Sequence, residues 1–459
     1  GVIFFIGSII GKIIRFIFFI CLIRVLRASL YGLNTIGQSI IDIVTNIGLL
    51  GDGRGFIRFA ASYYQENDSP RLKGMVQGYI FICLILSFVI AFILFFKANY
   101  LSSRVFHNLV LVGVIKIFAL SFPFYIFSLV IIPIGFAFQK MKYKVIIQEI
   151  ALPVINIVAV IIIFILGAKL YGAVVSFFIS SLITSILGFY LLKDLYPEIV
   201  SGSKAIFEIK KLIIYSLPLV GVIFCYYLLF RLDRIILGAY RTPFEVGVYS
   251  AASNTAMIVL TFSSIFEASF VPLITQLYYS NNKEELKNVY NCLNVWRVCM
   301  AFIPCLVLII FNKEIVTFIG KDLNAAEPVL IILSVSFLID VISGQVRQLF
   351  QMSSHQNIEF INSFVMIILN AALNLILVPP FGVIGSACAF LVTIVVMSVV
   401  RTIQLRVIFS FVTFNPRYLK FLAYVIFLLV GSFLVLTRLS IVFKSMSVIF
   451  ILLFFLLLI

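Results

Sequence analysis

Ionisable side chains are scarce in this sequence, so those that interrupt long apolar runs are where its chemistry must be sought. Arg54 and Arg58 stand one helical turn apart inside such a run, and on a helix they share a face. Arg24 with Arg27, and Arg231 with Arg234, form two more couples at i,i+3 spacing, while Lys116 and Arg297 also fall within apolar stretches. A charge at mid-membrane costs about 2.5–3.5 kcal/mol on insertion scales, which makes each of these a functional candidate by default. Arginine offers a planar fork that bonds two oxygens of a phosphate at once. The set predicts a basic, water-filled site for an anionic group. The plainer reading of Arg24, Arg27, Arg231 and Arg234 is that they sit near the interface and snorkel to water.

Acidic residues in the same runs are Asp42, Asp52, Glu149, Glu267, Asp340 and Glu359. A buried carboxylate can take a proton or a sodium ion and so couple movement of a cargo to a gradient. Asp42 and Asp340 have no basic residue within a turn along the chain, so they are the better coupling candidates. Asp52 and Glu267 are candidates because they fall at matching distances after two similar glycines. Arg54 lies so near Asp52 that a structural ion pair is the simpler expectation there.

Other chemistries find little support. The seven cysteines are scattered without a CxxC pair, which reads as packing rather than metal binding or disulfides. His107 and His355 are far apart in sequence and form no ligand set. No phosphate-cradling glycine loop is present, and no cofactor is expected. The net charge of +16 is expected to reflect span ends and an anionic lipid surface, as at Lys140, Lys142 and Lys144, rather than nucleic acid.

The elements that must position these residues follow from hydropathy. The chain has 459 residues, 63% of them hydrophobic and 11% charged, and its mean hydropathy is +1.20. Soluble domains carry roughly 25% charged residues. The apolar runs are long and unbroken, as in Tyr79–Phe96 and Ser445–Ile459, whereas a membrane barrel would show short alternating strands. An all-α integral membrane protein is therefore expected, with about 20 residues per span. We read about 14 transmembrane helices, with approximate cores at 3–26, 33–62, 75–96, 109–137, 145–166, 171–192, 211–231, 246–279, 289–311, 327–350, 358–379, 383–408, 418–436 and 441–459. Loops such as those carrying Arg71, Lys73, Lys140, Lys142 and Lys144 hold more basic residues than the alternate set, so the N-terminus is expected in the cytoplasm. No cleavable signal pattern is seen. Gly1 and Ile459 are read as truncated ends.

The two halves look related. Arg24 and Arg27 precede Gly32, and Arg231 and Arg234 precede Gly247; Tyr63 and Tyr278 each follow their glycine by 31 residues, and Asp52 and Glu267 by 20. Gly172 and Gly385 follow later, in the same order. This predicts two pseudo-symmetric six-helix lobes, residues 1–200 and 201–410, then two additional C-terminal helices in 411–459. The linker is placed over Lys193–Lys210, which contains Pro197 and Gly202. Internal repeats are a common transporter design. Gly53 after Asp52 allows the second span to be broken there, and Gly48, Gly51 and Gly55 permit close helix approach. Pro123, Pro133, Pro153, Pro218, Pro272 and Pro304 are expected to kink their spans.

Three stretches resemble a known family. Arg231-Leu-Asp-Arg-Ile-Ile-Leu-Gly-Ala-Tyr with Val246-Gly-Val-Tyr-Ser-Ala-Ala is similar to the seventh-to-eighth helix signature of polysaccharide and oligosaccharide flippases. Those proteins belong to the multidrug/oligosaccharidyl-lipid/polysaccharide exporter superfamily. Asn374-Leu-Ile-Leu-Val-Pro-Pro-Phe-Gly-Val-Ile-Gly-Ser-Ala resembles their link between helices eleven and twelve, and Gly51-Asp-Gly-Arg-Gly-Phe-Ile-Arg-Phe the far end of their second helix. The resemblance implies two lobes around a central cavity, alternating access, and a lipid-linked oligosaccharide on a polyprenyl phosphate or pyrophosphate carrier. A monomer in the cell membrane is expected, driven by a proton or sodium gradient or by the membrane potential. A cation-coupled multidrug exporter of the same superfamily is the alternative; its cationic cargo would favour acidic and aromatic linings, whereas the arginines favour an anion. An enzyme is not expected, because no loop is long enough to house sugar chemistry.

Overall fold

The computed structural model describes residues 2–197, 204–264, 273, 276–278, 280, 282–353, 355–410 and 423. Among them every regular element is helical, as a backbone in lipid requires when each segment must satisfy its own polar groups. Two compact units form, Gly1–Gly247 and Val248–Ile459. Among the described residues seven helices are long and apolar enough to cross a membrane, or eight if the bent pair Ile209–Cys225 and Tyr227–Tyr240 is one span. Fourteen spans remain compatible with this, because two of the longest helices are each broken in two and the last pair falls outside the described residues.

The first unit contains α1 (Val2–Gly48), α2 (Arg54–Gln65), α3 (Ser69–Tyr100), α4 (Val110–Ala137), α5 (Lys142–Ile165), α6 (Leu170–Leu195), α7 (Ile209–Tyr240) and the start of α8 (Pro243–Ala256). α3 turns Phe81, Phe88, Phe92 and Phe96 outward, each more than half exposed. Such a stripe would be an aggregation hazard in water and suits lipid. α4 lies inside the bundle, between α3 and α6, with Pro123 and Pro133 buried in it.

Three breaks shape this unit. α1 is interrupted at Arg27, whose φ of 58° and ψ of 173° take it off the helix. Beyond Gly48 the second span stops for residues 49–53, where Leu50, Gly51, Asp52 and Gly53 all have positive φ, so the break lies where Gly53 allows it. Tyr79 caps it, donating its hydroxyl to the Leu49 carbonyl at 3.0 Å. A Cβ on Gly53 would collide with Pro133 and the Tyr79 hydroxyl. α7, which carries Pro218, bends by 48° between Cys225 and Tyr227. The two glycines that anchor the sequence repeat meet in space: a Cβ on Gly32 would strike the Pro243 carbonyl, and one on Gly247 the Ala28 carbonyl. Backbones approach this closely only through small residues.

The second unit continues from α8 through α9 (Ile258–Ser263), α10 (Lys283–Ile310), α11 (Asn312–Ile319), α12 (Ala326–Ile342), α13 (Val346–Met352) and α14 (Gln356–Phe409). α14 is two helices separated at Gly382, with φ 55° and ψ −130°, just after Pro379 and Pro380. This is the interval left between spans eleven and twelve in the sequence.

Candidate functional site

Within the first unit one ion pair inside the apolar runs joins α1 to α7. Arg231 Nη2 lies 2.9 Å from Asp42 Oδ2, and Gln38 donates to the other oxygen, Oδ1, at 3.0 Å. The sequence left Asp42 without a cation because none stands within a turn. The fold supplies one from α7, far along the chain. Tyr125 of α4 has Asp42, Tyr227, Arg15 and Arg231 within electrostatic reach, so these groups share one neighbourhood. Asp52, at the break after α1, has Arg54 and Lys144 beside it and takes a hydrogen bond from Tyr227. Arg54 and Lys144 thus act on Asp52 through their charge, and the hydrogen bond comes from Tyr227.

A second pair, Arg15 with Glu149 at 2.5 Å, ties the first half of α1 to α5. A Cβ on Gly11 would press against Glu149, so glycine there lets the two helices close over the carboxylate. Arg15 was not singled out from sequence. It lies in an apolar run like the other arginines, and only the fold shows that its turn of α1 faces Glu149.

The remaining sequence candidates separate. Arg24 and Arg27 are exposed, and the break at Arg27 means they do not form the helical i,i+3 couple that their spacing implies. Arg234 is buried where Arg231 is only half-buried. Arg54 and Arg58 are both exposed on α2. Lys116 stands 5.2 Å from the centre of the Phe95 ring. Arg297 and Asp340 belong to the second unit, Arg297 buried and Asp340 half-buried. Glu267 lies outside the described residues. No group of three or more metal-ligating side chains occurs among the described residues.

Arg58 helps to fasten α2 to the first half of α7. It donates to the Tyr215 hydroxyl at 2.5 Å with its guanidinium 4.6 Å from that ring. One turn further, Tyr63 donates to Glu208, and Lys211 reaches Tyr63 at 2.8 Å and Glu208 at 3.2 Å. Arg71 stands 3.8 Å from Glu208, and Ile206 N bonds the Pro70 carbonyl at 3.0 Å. The end of the linker is therefore held on the first unit. The Tyr63 hydrogen bond, followed by Lys211 and Arg71, holds the Glu208 carboxyl below the usual glutamate range. A lowered folded pKa contributes stability that is complete above the unfolded value, about 4.3, and disappears as pH falls through the folded one. Thermal unfolding of wild type and Glu208→Gln across pH is expected to show a constant gap above that value and convergence below it. A gap that does not change with pH would show that the carboxylate charge is not what holds this contact.

Residues 1–278 match the family described as polysaccharide biosynthesis protein, and residues 218–376 the family described as MatE. The chain is similar to the probable low-salt glycan biosynthesis flippase Agl15 of Haloferax volcanii, at 24% identity over 189 residues, which is 41% of this chain and 39% of that protein. The match thus spans about two fifths of that relative's length. Among solved structures it is similar to the lipid II flippase MurJ in an inward closed conformation, with a TM-score of 0.74 and 16% identity over 99% of this chain and 98% of that one. It is also similar to a multidrug resistance MATE family transporter in an inward-facing conformation, with a TM-score of 0.66 and 18% identity over 87% and 98%. A MOP superfamily transporter from Pyrococcus furiosus gives 0.62 at 15% identity, over 89% and 95%. At these identities the likeness shows a shared fold.

Proposed function

The chain belongs to the polysaccharide biosynthesis protein family, and from that premise we propose that it is a flippase for a lipid-linked oligosaccharide. The cargo rides on a polyprenyl phosphate or pyrophosphate and passes by alternating access from the cytoplasmic to the outer leaflet of the cell membrane, with the N-terminus of the chain in the cytoplasm. The observation that carries this reading is the Arg231–Asp42 pair in the neighbourhood of Arg15, Tyr125 and Tyr227. A guanidinium held by one carboxylate oxygen keeps other donors for a phosphate. Arg24, Arg27, Arg54, Arg58, Arg234 and Lys116 extend the basic character along the first unit, and Arg297 supplies a cation in the second. Asp42, Asp52, Asp340 and Glu267 are the proposed coupling carboxylates, served by a proton or sodium gradient or by the membrane potential. The chain works as a monomer whose moving parts are residues 1–200 and 201–410, with 411–459 added.

Reconstitution tests this. In liposomes loaded on one leaflet with a fluorescent polyprenyl-diphosphate oligosaccharide, the purified protein is expected to expose the label to a membrane-impermeant quencher on the other side. Failure to do so, with uptake of a cationic dye by the same vesicles, would overturn the reading in favour of a drug exporter.

A further inference from the structure

The first unit carries a groove on the side of α4 that faces away from the Arg231–Asp42 pair. It has a volume of about 300 Å³, and every residue that lines it belongs to α3, α4 or α6. Phe127 lines it from α4, two residues beyond Tyr125, whose surroundings include Asp42 and Arg231. Two residues are about 200° of turn on a helix, so the two side chains leave α4 on nearly opposite sides.

The lining is polar at one end alone. Gln77 of α3 and Lys193 of α6 are its polar members; the rest are apolar, among them Phe81 and Leu84 of α3 and Phe189 of α6. α3 begins at Ser69 and α6 ends at Leu195. These termini lie at the same end of the unit: Tyr64 packs on Phe138 with ring centres 4.8 Å apart, and Phe138 on Tyr196 at 5.5 Å. Gln77 and Lys193 stand nearer that end, and Phe81, Leu84 and Phe189 follow toward the middle of their helices. From Gln77 to Leu84 the groove runs about 10 Å, at 1.5 Å per residue. Phe81 and Phe189 are more than half exposed, so the groove opens on the apolar outer face. This is the polarity of a lipid, with hydrocarbon in the deep part and a polar group at the mouth.

The charge at the mouth selects the headgroup. Lys193 is exposed, and among the described residues no carboxylate pairs with it. Asp194, the next residue, takes a hydrogen bond from the Tyr143 hydroxyl at 3.4 Å. A lysine at the edge of apolar surface lays its stem along it and carries the ammonium to the interface, where it attracts the phosphate of an anionic lipid. A zwitterionic headgroup brings a cation of its own and gains less.

We propose that the groove between α3, α4 and α6 binds one hydrocarbon chain of an anionic membrane phospholipid whose phosphate sits on Lys193. The site does not depend on what the protein carries.

Native mass spectrometry of the full chain in detergent, titrated with dioleoyl phosphatidylglycerol or dioleoyl phosphatidylcholine, tests this. One lysine near a membrane surface is worth about fivefold in binding an anionic lipid, so the glycerol lipid is expected to bind about fivefold tighter than the choline lipid. Lys193→Gln is expected to bring the two to one affinity. Lys140→Gln, at the same end but outside the lining, is expected to leave the ratio unchanged. Leu84→Trp fills the groove and is expected to weaken both lipids several-fold. Equal binding of the two lipids by the wild type would overturn the proposal, as would a ratio that survives Lys193→Gln or binding unaltered by Leu84→Trp. Displacement of the glycerol lipid by an equimolar polyprenyl phosphate would give the groove to the cargo's tail, and a dimer lost in Leu84→Trp would give it to a second copy of the chain; either result overturns the phospholipid assignment.

Discussion

Arg401→Met is expected to destabilise the chain by about 3–5 kcal/mol, the cost of breaking a buried ion pair by removing one partner. Arg401 Nη2 stands 2.6 Å from Glu359 Oε1, with side-chain exposures of 8% and 1%. The pair joins the two halves of α14. It and the Ser386–Asn374 hydrogen bond at 2.8 Å are both centred on residue 380, where Pro379, Pro380 and Gly382 turn the chain. Asn362 and Gln404 exchange amide hydrogen bonds nearby at 2.7 and 2.9 Å. The hairpin is thus zipped by polar contacts that lipid on its outer face cannot replace. Removing Arg401 leaves Glu359 as an uncompensated charge. Glu359→Leu combined with Arg401→Met is expected to recover most of the loss, because well-packed apolar residues often equal or exceed a buried pair. Thermal unfolding in detergent of the two single variants and the double variant reads the coupling. Purely additive losses would show that the pair contributes nothing as a pair.

What the sequence revealed and what it hid divide along one physical line. Lengths of apolar chain are local properties, so the helices, the break at Gly53 and the turn at Gly382 were legible from residue types. The glycines at 32 and 247 were legible as a repeat, though not as each other's packing partners. Ion pairs belong to the packing. Asp42 has no basic residue within a turn along the chain, and its partner arrives from α7; Glu149 and Glu359 stand out in the sequence as acids, yet nothing near them in the chain points to Arg15 and Arg401 as the groups that complete them. The break at Arg27 had no signal at all, because arginine is an ordinary helix former and only Gly32 follows nearby. A non-glycine residue in that region of φ and ψ costs of order 1–3 kcal/mol, a cost no reading of neighbouring residue types would assign to Leu26-Arg27-Ala28.

Loss of transport in Arg231→Ala is the effect that most directly tests the assignment of the basic neighbourhood. A charge-assisted hydrogen bond is worth about 1.5–3 kcal/mol, so a guanidinium that binds the cargo's phosphate lowers the flipping rate roughly ten- to a hundredfold when removed, at about 1.4 kcal/mol per factor of ten. Arg231→Lys keeps the charge but loses the planar fork, and an intermediate rate is expected. Asp42 touches Arg231 rather than the cargo in this reading. With no ion gradient imposed, Asp42→Asn keeps one acceptor oxygen for Arg231 while Gln38 can turn its own carbonyl oxygen to the new NH2, so its loss is expected to be smaller, and Asp42→Asn/Arg231→Ala no worse than Arg231→Ala. A solely structural pair gives a different pattern: both single variants and the double would fall equally, and melting temperature would fall with them. The readout is the initial rate of quencher exposure at matched amounts of folded protein in liposomes. A wild-type rate in Arg231→Ala would remove this arginine from the cargo path and leave the exposed arginines of α2, Arg54 and Arg58, as the next groups to replace.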